Sequence, residues 1–311
     1  MSVQFSRVLF IANPHAGVNR NIRSRVIDAC EKAGMDFALE VTQYAGHATE
    51  LAASASEMGF DLVVAIGGDG TINEVGRALL GTEIPLGVVP AGSGNAFARA
   101  LNLSFDPTKA CRAFIQPEIR KLDVGRVGNA LFFSTAGIGL DAEVAHRYAS
   151  RTGRRGFLPY MVLTALSILS YRPQTLRLRL DSNSEIERTP LFVAIANIPD
   201  FGGGATIAPQ ARPDDGLLDV CVFTHPGWIR LILNTYRLFN GTFDRMPGVE
   251  IFQAKKIHIT REKSDWFQFD GEVEKGSKEL VFEIMPDVLT LILPKNPQQN
   301  NSAWGSEIDL Q

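Results

Sequence analysis

Cysteine is scarce in this chain. Cys30, Cys111 and Cys221 are the only three in 311 residues. Their wide separation rules out a metal-ligand spacing, and their odd number argues against a disulfide framework, so a reducing, cytoplasmic setting is expected. Long hydrophobic runs are also missing. The longest apolar stretch, Gly156–Tyr171, is shorter than a membrane-spanning helix needs, and Thr164, Ser167 and Ser170 interrupt it at every third position. The early apolar run Val8–Ala12 has the length of a strand rather than of a secretory core, so no signal peptide is expected. Neither sign of charge dominates, with 31 Lys and Arg against 34 Asp and Glu. A broad basic surface is therefore excluded, and nucleic acid is not an expected partner. The five histidines show no ligand spacing, and no internal repeat is visible.

The remaining composition, 45% hydrophobic and 21% charged, is that of a soluble globular protein long enough for two domains. In the first part, β-rich apolar runs at 7–12, 37–42, 61–66 and 84–89 alternate with Ala-rich helical stretches at 20–33, 46–58 and 71–80. That rhythm predicts an α/β domain with a doubly wound parallel sheet. After residue 121 the runs at 130–135, 175–180, 191–197, 218–223, 255–260, 265–269 and 279–284 are joined mostly by turns. They predict a mainly antiparallel β-sandwich with helices inserted near 140–150, 156–171 and 227–239. The expected division is residues 1–124, with 287–295 returning, for the first domain and 125–286 for the second. The tail 296–311, rich in Asn, Gln and Ser, is expected to be disordered.

The most informative segment is Gly67-Gly68-Asp69-Gly70-Thr71, directly after Leu62–Ile66. A buried strand ends, the glycines let the backbone approach a ligand, and a helix is predicted to start at Thr71. Free N–H groups at a helix start suit phosphate, and Asp69 is the natural partner for a magnesium ion on that phosphate. Two further polar loops, Asn13–Gly17 and Pro90–Asn95, also follow predicted strands. Ligands of doubly wound sheets collect at these strand ends. Asn73 and Glu74 lie in the first turn of the same helix; Glu74 reads equally well as a partner of the helix dipole.

With those loops in hand, the chain resembles the diacylglycerol-kinase catalytic family, which includes bacterial lipid kinases and sphingoid-base kinases. The matching pieces are Asn13-Pro14-x-x-Gly17, Thr42 with Gly46-His47-Ala48, Gly67–Thr71 with Asn73-Glu74, and Gly92-Ser93-Gly94-Asn95. Downstream come Gly137-x-Gly139-x-Asp141-Ala142, Gly202–Gly204, Asp215-Gly216-x-Leu218-Asp219 and Asp270-Gly271-Glu272. The resemblance implies an ATP- and Mg2+-dependent lipid kinase working on a lipid at a membrane surface, peripheral to the inner face. It places Asn13, Pro14, Gly17 and Thr42 around base and ribose, and Ser93 by the phosphates. It makes Glu272 the general base. It assigns a second magnesium to the Asp215 carboxylate with the Arg212 and Leu217 carbonyls, and it sets Asp141 against the lipid head group, a position equally readable as an acidic first helical turn. Ala96 stands where many bacterial members carry Asp, which leaves the lipid open. The Gly156–Tyr171 helix, with Arg151, Arg154, Arg155 and Arg172 at its ends, reads either as an acyl-chain or membrane element or as a core helix. An NAD kinase, sharing Gly67–Thr71, and a non-catalytic nucleotide- or lipid-binding regulator are the alternatives; a homodimer stays open.

Overall fold

A computed structural model of the chain describes residues 5–16, 21–92, 94–115, 117–151, 157–181 and 184–295. Gly17, Ser93, Arg154, Arg155 and the tail 296–311 lie outside the described residues.

The apolar runs of the first part carry no polar face, so strands built from them need cover on both sides. In chain order they form β1 (Val8–Ala12), α1 (Ile22–Lys32), β2 (Phe37–Val41), α2 (His47–Ala53), β3 (Leu62–Gly67), α3 (Asp69–Leu79) and β4 (Leu86–Pro90), followed by α4 (Ala96–Ala100) and α5 (Pro107–Ile115). The strands are parallel in the order β2-β1-β3-β4. Side chains alternate across a strand, and the two resulting sets are divided between two helical layers. Leu9, Ile11, Val63 and Ala65 meet Ala52 of α2 and Ile72, Val75 and Leu79 of α3. Val8, Phe10, Leu62 and Val64 meet Val26 and Cys30 of α1 and Cys111 and Phe114 of α5. This is the doubly wound layer that the alternation of runs predicts.

The rest of the chain is mostly antiparallel. It comprises β5 (Pro117–Val127), β6 (Ala130–Phe132), β7 (Thr135–Gly139), α6 (Leu140–Ala149), α7 (Phe157–Ser170), β8 (Leu176–Leu180), β9 (Ser184–Arg188), β10 (Phe192–Ala196) and β11 (Leu218–Phe223). It continues with α8 (Trp228–Asn234), prolonged by a 3-10 turn at Thr235–Leu238, then β12 (Val249–Ala254), β13 (Lys256–Arg261), β14 (Asp265–Phe269), β15 (Glu272–Gly276) and β16 (Glu279–Pro294). One sandwich layer is the sheet β12-β11-β10-β7-β14-β15. The other is β16-β13-β8-β9, and Leu178, Ile257, Ile259 and Phe282 from it interleave with Ile138, Val193, Val220 and Phe267. β16 joins the two halves of the molecule. Its start pairs with β13, its end reaches β4 at Leu291, and β5 runs antiparallel along it with a register shift between Met285 and Leu289. The return of the chain near residue 288 is thus the far end of one 16-residue strand.

Several elements differ from the sequence reading. β5, β7, β9, β12 and β15 were not expected. β5 opens with Glu118, Arg120 and Lys121, and pairing with β16 rather than its own polarity makes it a strand. Two glycines disguise β7: a Cβ on Gly139 would stand 2.6 Å from the Leu191 carbonyl oxygen, so close backbone approach requires the glycine there. α3 begins at Asp69, two residues before Thr71. Among the described residues no helix is long and apolar enough to cross a membrane.

Candidate active site

Gly67, Gly68 and Gly92 of the second and third loops are needed for close contact rather than for unusual dihedrals. Gly67, Gly68 and Gly70 are not in the left-handed region. A Cβ on Gly92, however, would stand 2.5 Å from Gly68 Cα and 2.8 Å from Asn95 Oδ1. The loops after β3 and β4 therefore touch backbone to backbone. Asn95, left-handed at φ 50°, closes the third loop: its Oδ1 accepts from Gly92 N at 3.0 Å and its Nδ2 donates to the Gly92 carbonyl at 2.6 Å. Asp69 opens α3, where no side chain caps the helix, and its Oδ1 accepts from Phe97 N of α4 at 3.2 Å. One carboxylate thus sits where two helices start, and the backbone N–H groups there favour negative charge.

Asp270 brings the second half of the chain to this point. It occupies the tip of the β14–β15 hairpin at φ 47° and is half-buried. Its oxygens accept from Asn73 Nδ2 at 2.6 Å and from the backbone N–H groups of Phe133, Ser134 and Thr135 at 2.7, 2.9 and 3.1 Å. Burial pushes its pKa up to about 6; the three backbone donors pull it down, and Asp69 adds to the upward push. Asp69 has the same effect on Asp200, whose carboxyl is raised mainly by burial and is paired with Arg99 at 3.1 Å. Three acids therefore share one field. Asn73 Oδ1, one helical turn from Asp69, is buried without a hydrogen-bond partner. A hard cation is the group that these oxygens fit.

Two cavities flank α3, and a third adjoins one of them. Asn13, Thr42, Tyr44, Thr71 and Glu74 line a 330 Å³ cavity on one side. Asn13 Nδ2 donates to Thr71 Oγ1 at 3.2 Å, Tyr44 stacks on His47 at 4.7 Å, and Glu74 accepts from Ala48 N at the start of α2. Pro14 is exposed beside it. On the other side Asp69, Thr135, Asp141, Gln268 and Asp270 line part of a 340 Å³ cavity whose remaining wall is largely apolar. Asp141, Tyr160 and Phe201 belong both to this cavity and to a third one of 480 Å³, walled by apolar residues of α6, α7, α8, β10 and β11. Asp141 is buried, accepts from Gln268 Nε2 at 2.8 Å, and is pushed up to about 7 by burial.

Glu272 does not line the cavity that holds Asp69. It opens β15 with an exposed side chain, 3.6 Å from Arg77 Nη2. Asp215 lies apart from these cavities, in a turn held by Asp123, which accepts from Gly216 N at 2.7 Å. Burial raises the carboxyl of Asp215, and its nearest charges are Arg212, Asp123 and Asp214. Arg212 directs its side chain to Asp214, and Leu217 N donates to Asp215 Oδ1 at 3.0 Å. Among the described residues no cluster of three or more His, Cys, Asp or Glu side chains could hold a metal. The residues that the sequence reading missed are Asp270, Gln268, Asp200, Arg99 and Asp123. Asp-Gly at 270–271 signalled a hairpin tip, but its partners are more than 130 residues away.

Residues 7–127 match the diacylglycerol kinase catalytic domain, and residues 134–293 match the YegS C-terminal NAD kinase beta sandwich-like domain. A probable lipid kinase YegS-like of Chromohalobacter salexigens is 31% identical over 85% of this chain and 86% of its own. A diacylglycerol kinase of Bacillus subtilis is 30% identical over 86% and 89%. The crystal structure of a putative diacylglycerol kinase from Bacillus anthracis superposes with a TM-score of 0.78 at 24% identity, covering 96% of this chain and 97% of that one, and shows a shared fold.

Proposed function

Because this chain belongs to the diacylglycerol kinase catalytic domain family, we propose that it is a lipid kinase that transfers the γ-phosphate of ATP to a hydroxyl of a diacylglycerol-like or sphingoid lipid. The observation that carries this reading is the adjacency of the cavities. The cavity that holds Asp69 adjoins a 480 Å³ apolar slot, with Asp141, Tyr160 and Phe201 forming part of both walls. Such a pairing suits a molecule with one reactive hydroxyl and long acyl chains. It has no use in an NAD kinase.

In this reading residues 1–124 with 287–295 bind the nucleotide and 125–286 bind the lipid. Base and ribose occupy the cavity of Asn13, Thr42 and Tyr44. The phosphates cross the start of α3 by Gly67, Gly68, Gly70 and Thr71, with Gly17 and Ser93 as further nucleotide contacts by resemblance. Asp69 and Asn73 Oδ1 would hold Mg2+, whose charge would offset that of the transferring phosphate. The lipid hydroxyl oxygen forms its bond to the γ-phosphorus as the bond to the ADP oxygen breaks, and Glu272, the residue next to Gly271 in the wall of the Asp69 cavity, takes the hydroxyl proton. Asp270 is unsuited to that task because its oxygens already accept four hydrogen bonds. Glu272, exposed and near the cationic Arg77, keeps its lone pairs available. Asp141 meets the head group, and the Asp215 carboxylate with the Arg212 and Leu217 carbonyls would hold a second Mg2+.

The test is radiolabelled ATP with mixed micelles of diacylglycerol, monoacylglycerol, sphingosine or phosphatidylglycerol, and with NAD as a soluble acceptor. Label in one of the lipids and none in NAD is expected. Glu272→Gln should lower kcat by about 10²–10⁴-fold with little change in KM for ATP. Label in NAD alone, or undiminished turnover by the Gln variant, would overturn the reading or the assignment of the base respectively.

A further inference from the structure

α8 and its 3-10 extension carry Arg230, Asn234 and Arg237 along one stripe and mostly apolar side chains over the rest, yet no residue of either is buried. One side, with Trp228, Leu231, Ile232, Thr235 and Leu238, walls the apolar slot. The stripe between these two, Ile229, Leu233 and Tyr236, recurs at i, i+4 and i+7 and is 75%, 67% and 54% exposed. A contiguous apolar stripe left on the surface beside polar residues marks an interaction or membrane site. α7 repeats the pattern with Val162, Leu166 and Leu169. Leu169 of α7 and Ile232 of α8 both line the slot and are both exposed, at 69% and 71%, so the two stripes flank its mouth.

We propose that α8 inserts its Ile229–Leu233–Tyr236 stripe into the surface of an anionic phospholipid bilayer, setting the mouth of the slot against the lipid that will be phosphorylated. This rests on the lipid-kinase reading for its purpose. Two observations select a bilayer as the occupant. The stripe adjoins the slot, which shares Asp141 with the cavity that holds Asp69. The charge is complementary as well: from Val220 to Phe243 the sequence has no Asp or Glu but carries Arg230 and Arg237, and Arg230 is exposed beside the stripe. Basic residues flanking a short apolar helix are the signature of interfacial binding.

The experiment is co-sedimentation of the full chain with phosphatidylcholine vesicles with and without phosphatidylglycerol, using wild type and the double variant Ile229→Asp/Leu233→Asp. Trp228 fluorescence, assigned with Trp228→Phe, reports insertion by a blue shift. Wild type should bind phosphatidylglycerol vesicles and shift; the double variant should need roughly tenfold or more lipid for half-binding. It should keep wild-type turnover on a short-chain, monomerically dissolved lipid, which also shows that it is folded. Equal vesicle binding by both proteins would overturn the proposal. So would a double variant that changes only from dimer to monomer on light scattering, which would make the stripe a contact between two copies. Wild-type vesicle binding without any lipid turnover would leave the insertion standing and count against the kinase reading instead.

Discussion

Gly92→Ala tests whether the approach of two loops, rather than loop flexibility, builds the phosphate site. The added Cβ would stand 2.5 Å from Gly68 Cα, where ordinary contacts begin at 3.4 Å, so the backbones must part by nearly 1 Å. The other near atom, Asn95 Oδ1 at 2.8 Å, belongs to the side chain that closes the loop and cannot turn away without losing its bond to Gly92 N. Overpacking of this kind costs about 1–3 kcal/mol. A displacement of that size between Asp69 and the third loop should lower kcat/KM by about 10²-fold. The assay pairs initial rates against ATP in lipid micelles with thermal unfolding. Gly70→Ala is the matched stability control. Its Cβ would meet nothing within 4 Å, and an Ala inside the first turn of α3 should gain about 0.5–1 kcal/mol of stability. A Gly92→Ala enzyme within about threefold of wild-type kcat/KM would refute the close-approach argument.

Asp270→Asn should destabilise the fold by about 3–5 kcal/mol, because an amide NH2 would face two of the four donors that the carboxylate accepts; a urea-midpoint change worth under about 1 kcal/mol would contradict it. Asp141 supplies a pH signature. Its folded pKa, about 7, lies above the ordinary carboxylate value of 3.8, so the fold binds the extra proton and stability falls as pH rises through that window, by roughly 4 kcal/mol. Asp141→Asn, which keeps an oxygen for Gln268, should be the more stable protein above pH 7 and lose that advantage by pH 4; parallel melting curves for the two across this range would show that burial does not burden the acid.

The parallel layer was legible because its strands are continuous apolar runs, Leu62–Ile66 above all, and a strand covered on both faces has no other composition. β5 and β15 were not legible. Glu118, Arg120 and Lys121, like Glu272, Glu274 and Lys275, have no strand signature of their own and are extended only because β16 and β14 hydrogen-bond to them. The site divided the same way. Asp69 announced itself through its glycines. Asp270 carried no local sign of being half-buried, because its four partners come from α3 and from the stretch between β6 and β7. Of the core and lipid readings of the helix around Leu163, the sequence favoured a mixture with one side core and one side lipid; the structure buries Ser167 and exposes Leu166 and Leu169.

By itself the order of residues determined the layers, the loops at the strand ends, the acid that opens α3 and the family. Those depend on neighbours in sequence: alternation of side chains along a strand, and the start of a helix after a glycine turn. Tertiary structure alone decided that Asp270, not Glu272, shares a cavity wall with Asp69, and that an apolar slot bordered by an exposed helix adjoins that cavity. Burial and cavity shape are sums over atoms far apart in the chain, and no local pattern contains them.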